Sequence, residues 1–162
     1  MFATAQILSI TYKPMNATTE TDGFLRVAVE SANLITDYGI EGDRKGGHPK
    51  RQINLMGKST LDALTAKGYK TEPGAMGEQM IVSGIEVDDL PVGTVIQLGH
   101  SARVEVTQHR AGCPKFETTQ NCSTQEAVGQ MGVMVRVLSD GQVHLSDPVK
   151  IMNTIDEIME LA

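Results

Sequence analysis

The 162-residue chain has no tryptophan, only three tyrosines and three phenylalanines, so aromatic packing cannot dominate its interior. Its two cysteines, Cys113 and Cys122, are too few for a disulfide framework. Their spacing matches no paired-cysteine zinc signature, so no zinc site is expected. Positive charge is also in short supply. Lys and Arg number 14 against 20 Asp and Glu, a net charge of −6. Nucleic-acid affinity rests on neutralising phosphates with excess positive charge, so a nucleic-acid partner is excluded. Met1-Phe2-Ala3-Thr4-Ala5-Gln6 lacks the basic and apolar stretches of a secretory signal. No apolar run approaches the ~18 residues of a membrane helix. A cytoplasmic protein without a membrane partner is expected.

A composition of 40% hydrophobic and 21% charged residues is that of a globular domain. We expect one domain over residues 1–162, with an aliphatic core softened by nine methionines. Sixteen glycines and six prolines imply many turns and short strands. Strand patterns occur at Ala5–Lys13, Phe24–Ser31, Arg51–Met56, Glu78–Ser83, Thr94–Leu98 and Arg103–His109. In the second, Leu25, Val27 and Val29 alternate with Arg26, Ala28 and Glu30. Val133–Leu138, a turn at Asp140-Gly141 and Gln142–Leu145 read as a hairpin. Strands this short and close predict a barrel or a strongly bent sheet. Helices are expected at Ser59–Lys67, stopped by Gly68, after a capping box at Ser123–Glu126, and at Ile155–Leu161. The last would pack on the domain or form a dimer contact.

Gly57-Lys58-Ser59 suggests a phosphate loop, but the required glycine five residues earlier is Gln52, so the segment reads as a turn into a helix. Between Tyr38 and Arg51, the cations Arg44, Lys45, His48, Lys50 and Arg51 gather among glycines whose bare N–H groups suit an anion. A solvated basic loop is the plainer alternative. Pro73-Gly74-Ala75-Met76-Gly77-Glu78 is a second glycine-rich segment; Glu78 would be solvated or orient a guanidinium. In His109-Arg110-Ala111-Gly112-Cys113-Pro114-Lys115-Phe116, Pro114 suits the first position of a helix and Cys113 its cap. That helix end, Arg110 and Lys115 would all favour a thiolate at Cys113, the alternative being a buried inert thiol. Cys122 has no such setting.

Taken in order, Gly39–Arg44, Arg51-Gln52-Ile53-Asn54-Leu55, Gly74–Glu78, Val92–Gly99, Ala102–Gln108, Arg110–Phe116 and Arg136–Leu138 resemble the MOSC family, named for the C-terminal domain of molybdenum-cofactor sulfurase. The resemblance spans about residues 36–151. It implies a mainly β fold, barrel-like in the manner of the pyruvate-kinase β-barrel, with a few short peripheral helices. Three positions depart from the family pattern. Gly77-Glu78-Gln79 stands for Gly-Glu-Asn, Gly112 for the proline before the cysteine, and Ser146-Asp147 for Gly-Asp.

The resemblance further implies binding of the molybdenum cofactor, a molybdopterin, or sulfur transfer, with Cys113 as catalytic persulfide carrier or molybdenum ligand. Asp43, Arg44, His48, Arg51, Glu78, Arg110 and Lys115 would bind the anionic cofactor. Asp43, Arg44, Arg51, Glu78 and Arg110 would converge around Cys113, with the two carboxylates steadying the guanidiniums. Pyridoxal phosphate would belong to a partner such as a cysteine desulfurase; a molybdoenzyme is the other partner implied. A non-catalytic module for an anion or partner, and the molybdenum component of a reductase of N-hydroxylated compounds, are the competing functions. A monomer and a homodimer are both compatible with the sequence.

Overall fold

A computed structural model describes residues 4–15, 26–112, 116–117, 120–121 and 125–152. β-branched and aliphatic residues at alternate positions build most of its strands. These are β1 (Gln6–Tyr12), β2 (Val27–Val29), β3 (Ser31–Ile35), β4 (Gly39–Ile40), β5 (Ile53–Gly57), β6 (Met80–Ser83), β7 (Val95–Leu98), β8 (Ala102–His109), β9 (Val133–Ser139), β10 (Gly141–His144) and β11 (Val149–Met152). An eight-stranded sheet has the order β11-β7-β8-β9-β5-β6-β1-β2, and β10-β3-β4 form a smaller one. The mainly β, barrel-like architecture is as expected. The ladder does not close, but its far ends approach. Gln6 bridges Pro148, Ile7 N–H donates to Asp147 O at 2.9 Å and Val149 N–H to Ala5 O at 3.1 Å.

β5 and β6 pair in parallel, and such a pair needs a crossover connection, which here contains a helix. It is α1 (Lys58–Ala66), which buries Leu61 and Leu64. The helix ends where Gly68 takes a left-handed φ of 96°, as its sequence predicts. Gly57 precedes α1 as an extended cap residue, in keeping with a turn rather than a phosphate loop.

The core divides in two. One cluster fills the sheet interior with aliphatic side chains, among them Ile7, Ile10, Ile53, Leu55, Val82, Val104, Val135 and Val137. The other joins Leu61 and Leu64 to Met56, Met76, Met131, Tyr69 and Phe116. The softness expected of the whole core is thus concentrated beneath α1.

Three expectations need correction. Val133–Leu138 and Gln142–Leu145 do not form a hairpin: β9 pairs with β8 and β5, while β10 pairs with β3. Asp140 instead accepts from Thr36 N–H and Oγ1–H, each at 2.6 Å, tying the strand change to the smaller sheet. In place of the helix expected from the capping box, its last two residues open a 3₁₀ turn, Gln125–Ala127; Ser123 and Thr124 lie outside the described residues. Finally, in the described part of Phe24–Ser31, from Arg26 on, the strand runs over Val27–Val29 and a second strand starts at Ser31, while Phe24 and Leu25 lie outside the described residues. The expected helix over Ile155–Leu161 lies outside the described residues.

Candidate functional site

The loop between β4 and β5 is folded around Asp43. This side chain is fully buried. Its Oδ1 accepts from the backbone N–H of Lys13 (3.2 Å) and Lys45 (3.1 Å), and Oδ2 accepts from Gln79 Nε2 (3.1 Å). Tyr38 Oη–H donates to Asp43 O at 2.6 Å and lays its ring against Gly46, where a Cβ would overlap the ring. The glycine is required by that close approach. The basic residues that follow are thereby held on a shaped loop.

A buried polar layer continues from Asp43. Gln79 Oε1 accepts from Asn54 N–H at 2.8 Å, while its Nε2 also donates to Gln52 O at 3.4 Å. Asn54 Nδ2 donates to Val133 O (3.1 Å) and Met131 O (3.4 Å), and its Oδ1 accepts from Arg110 Nη1 at 3.3 Å. Arg110 also donates to Met76 O and stands 5.8 Å from the centre of the Phe116 ring. Its guanidinium is consequently fixed on three sides.

Glu78, also buried, accepts from Gly74 N–H at 2.6 Å and Met76 N–H at 3.1 Å. Burial raises its pKa above the ordinary carboxylate value; those amides and the charge of Arg26 oppose the rise. Arg26 Nη2 donates to Gly77 O at 3.1 Å. Burial lowers the pKa of its guanidinium, against the opposing pull of Asp43 and Glu78.

Above this layer opens a cavity of about 340 Å³. Arg26, Lys45, His48, Arg51 and Arg110 line it, with Asn54, Gln79 and Ala111, and no carboxylate is among its described lining residues. The structure therefore brings together His48, Arg51 and Arg110 of the expected site. Arg44 is exposed and does not line the cavity. Asp43 and Glu78 are buried and do not line it, their oxygens accept from the amides above, and among the described residues neither hydrogen-bonds a guanidinium. Cys113, Lys115 and Cys122 lie outside the described residues. Ala111, two residues before Cys113, lines the cavity, and Phe116 lies under Arg110.

Arg26, Asn54 and Gln79 were not among the expected binding residues, and Lys45 was marked only as one cation of the basic loop. The sequence did carry a signal for Asn54, a polar residue in the middle of a fully buried strand. Arg26 had none, since it reads as the polar face of an alternating strand.

The MOSC domain model matches residues 42–150, which is most of the chain. The chain belongs to the MOSC domain family. Crystal structures of MOSC-like fold agree. YiiM from Geobacillus stearothermophilus superposes with a TM-score of 0.72 at 23% identity, covering 92% of this chain and 75% of that one. The YUAD protein from Bacillus subtilis gives 0.70 at 19%, covering 92% and 96%. YiiM from Escherichia coli gives 0.69 at 18%, covering 93% and 71%. At these identities the likeness is one of fold. No curated protein matches the chain. No described helix of this MOSC protein is long and apolar enough to cross a membrane.

Proposed function

We propose that this MOSC protein binds the molybdenum cofactor, or passes sulfur toward it, in the cytoplasm. The observation that carries the reading is the cavity, lined by Arg26, Lys45, Arg51 and Arg110 with no carboxylate among its described lining residues. A phosphate-bearing pterin is an anion that needs such a lining, since guanidiniums recognise phosphate through several N–H groups at once. The volume suits a small organic ligand. Buried guanidinium nitrogens of Arg26 without an acceptor among the described residues add to the fit.

Among the described residues no group of three or more His, Cys, Asp or Glu could hold a metal ion. Molybdenum would be held by the pterin, with Cys113 as its protein ligand; bound there, the cofactor would supply oxygen-atom or sulfur chemistry. In the sulfur-carrier branch, Cys113 accepts sulfur from a pyridoxal-phosphate-dependent desulfurase. Arg110, on the approach to Cys113, is the described cation nearest to it in sequence and would favour its thiolate. Arg51 and Lys45 would hold the ligand's charge, and Asn54 keeps Arg110 in place.

The test mixes purified full-length chain with the cofactor and measures retention on ultrafiltration, together with molybdenum content after expression with molybdate. Stoichiometric retention supports the cofactor branch, and none removes it. Sulfur loading of Cys113→Ser and Cys122→Ser by a desulfurase, followed by mass spectrometry, tests the carrier branch. Loss of sulfur from Cys122→Ser alone would move the chemistry to Cys122. If neither cofactor nor sulfur is held, the protein is a non-catalytic binding module.

A further inference from the structure

Two apolar side chains on the outer face of the large sheet are sealed from water. Ile96 pairs with Val104 and Val104 with Val137 across β7, β8 and β9, and all three point into the aliphatic interior. Side chains alternate along a strand, so Val95, Glu105 and Arg136, one residue along, point outward. The register sets Met152 of β11 beside Val95, Val95 beside Glu105, and Glu105 beside Arg136. Glu105 and Arg136 are part-exposed and paired, Arg136 Nε–H donating to Glu105 Oε1 at 2.8 Å. Val95 and Met152 are only 4% and 6% exposed, yet neither belongs to the aliphatic cluster or to the cluster beneath α1. Outward-facing apolar residues are sealed in this way only where another segment lies over them.

The chain continues from this spot. Met152 is followed by Asn153-Thr154-Ile155-Asp156-Glu157-Ile158-Met159-Glu160-Leu161-Ala162. At helical spacing Ile155, Ile158, Met159 and Leu161 share one side, and Asp156, Glu157 and Glu160 the other. Ten helical residues rise about 15 Å. From β11 across β7 and β8 to β9 is three strand spacings, about 14 Å. Along that path the sheet offers cations to an acidic segment. Lys150 and Arg103, each paired in register with Gln97, border the sealed row on one side. At its far end Glu105 and Arg136 enter a groove of about 390 Å³, with Pro49 and Val92 in its wall. Lys50, also in that wall, makes no ion pair among the described residues.

We propose that residues 153–162 of the same chain dock as a helix across the outer face of β11, β7 and β8. Ile155, Ile158 and Met159 cover Met152 and Val95, and the acidic side meets the cations that border them. The segment is then a cover for its own sheet, not a dimer contact. Its far end reaches the groove wall at Pro49 and Lys50, which lie between His48 and Arg51 of the cavity lining. A segment seated there braces the cavity loop from behind.

Nuclear Overhauser spectra of the methyl-¹³C-labelled 162-residue chain test this without a variant. Cross-peaks are expected between the methyls of Ile155, Ile158 or Met159 and those of Val95. Val95 decides, because Met152 is near these residues in sequence in any case. In an equal mixture of labelled and unlabelled chains, a spectrum filtered for contacts between the two is expected to show none of them. Ile158→Asp is expected to remove the cross-peaks and shift the Val95 methyl signals, while those of Leu55, in the sheet interior, stay in place. A wild-type chain without any cross-peak to Val95 overturns the proposal, as do Val95 signals that ignore Ile158→Asp. Cross-peaks that appear in the filtered spectrum overturn it in favour of the tail of a second copy. Should Ile158→Asp not fold, the wild-type spectra alone decide.

Discussion

Strand β5 borders two interiors of opposite kind. Ile53 and Leu55 enter the aliphatic cluster within the sheet. Gln52 and Asn54, between and beside them, enter a layer of equally buried polar groups, Asp43, Glu78 and Gln79 among them. The aliphatic side is stabilised by area and shape, so volume-conserving swaps are tolerated. The polar side is stabilised atom by atom, because each buried donor or acceptor left alone costs about 1–3 kcal/mol. The strand is the same; the rules of substitution differ.

Leu55→Ala is expected to have the largest effect, about 2–5 kcal/mol lost to a cavity in the close-packed side. Urea unfolding measures it, and Leu55→Met is expected to recover most of the loss. On the polar side an isosteric change is expected to suffice for damage. Asp43→Asn turns an amide hydrogen toward one of the donors that Asp43 now accepts from, at a cost of about 1–3 kcal/mol by the same measurement. An Asp43→Asn protein as stable as the wild type would erase the distinction between the two sides.

Glu78 sharpens the comparison through pH. Burial holds its pKa above the ordinary value of 4.5. Between the ordinary and the raised value, the folded chain keeps a proton that the unfolded chain has released. The contribution of Glu78 to stability therefore declines as pH rises through that window. Urea midpoints taken from pH 4.5 upward are expected to fall in the wild type relative to Glu78→Gln, which has no such proton. A constant difference would show that the carboxyl is not strained by burial. The smallest effect belongs to the surface. Lys58→Ala breaks an exposed pair with Asp62 at 2.7 Å and is expected to change stability by about 0.3–0.5 kcal/mol.

Much of the fold was legible because alternation is a local signal. β1, β5, β7, β8 and β9 fall close to their predicted limits, and α1 was marked by Leu61, Leu64 and Gly68. Partner choice was not legible. Asp140-Gly141 looks like a hairpin turn, and only the distant Thr36 shows that the chain is changing sheets there. β3 was hidden because the alternation in Ser31-Ala32-Asn33-Leu34 is short and rests on one small and one large apolar residue; it gains its place by pairing with β10. In the candidate site the cations of the β4–β5 loop and Arg110 were visible as charge against an acidic background. Arg26 was invisible, because its burial is decided by Gly74 and Gly77, some fifty residues away.

The cavity draws its wall from Arg26, from Lys45 to Asn54, from Gly77 and Gln79, from Arg110 and Ala111, and from Met134. These stretches, far apart in sequence, meet at the cavity in the folded chain. Whatever the cavity holds is therefore a cross-link as well as a cargo. A ligand at a hundred times its Kd adds about 2.7 kcal/mol to the folded state, comparable to a whole buried leucine. Heat, urea and proteases would then all meet a sturdier chain in a cell rich in the ligand than in a cell starved of it. The abundance of the protein would follow the supply of what it binds.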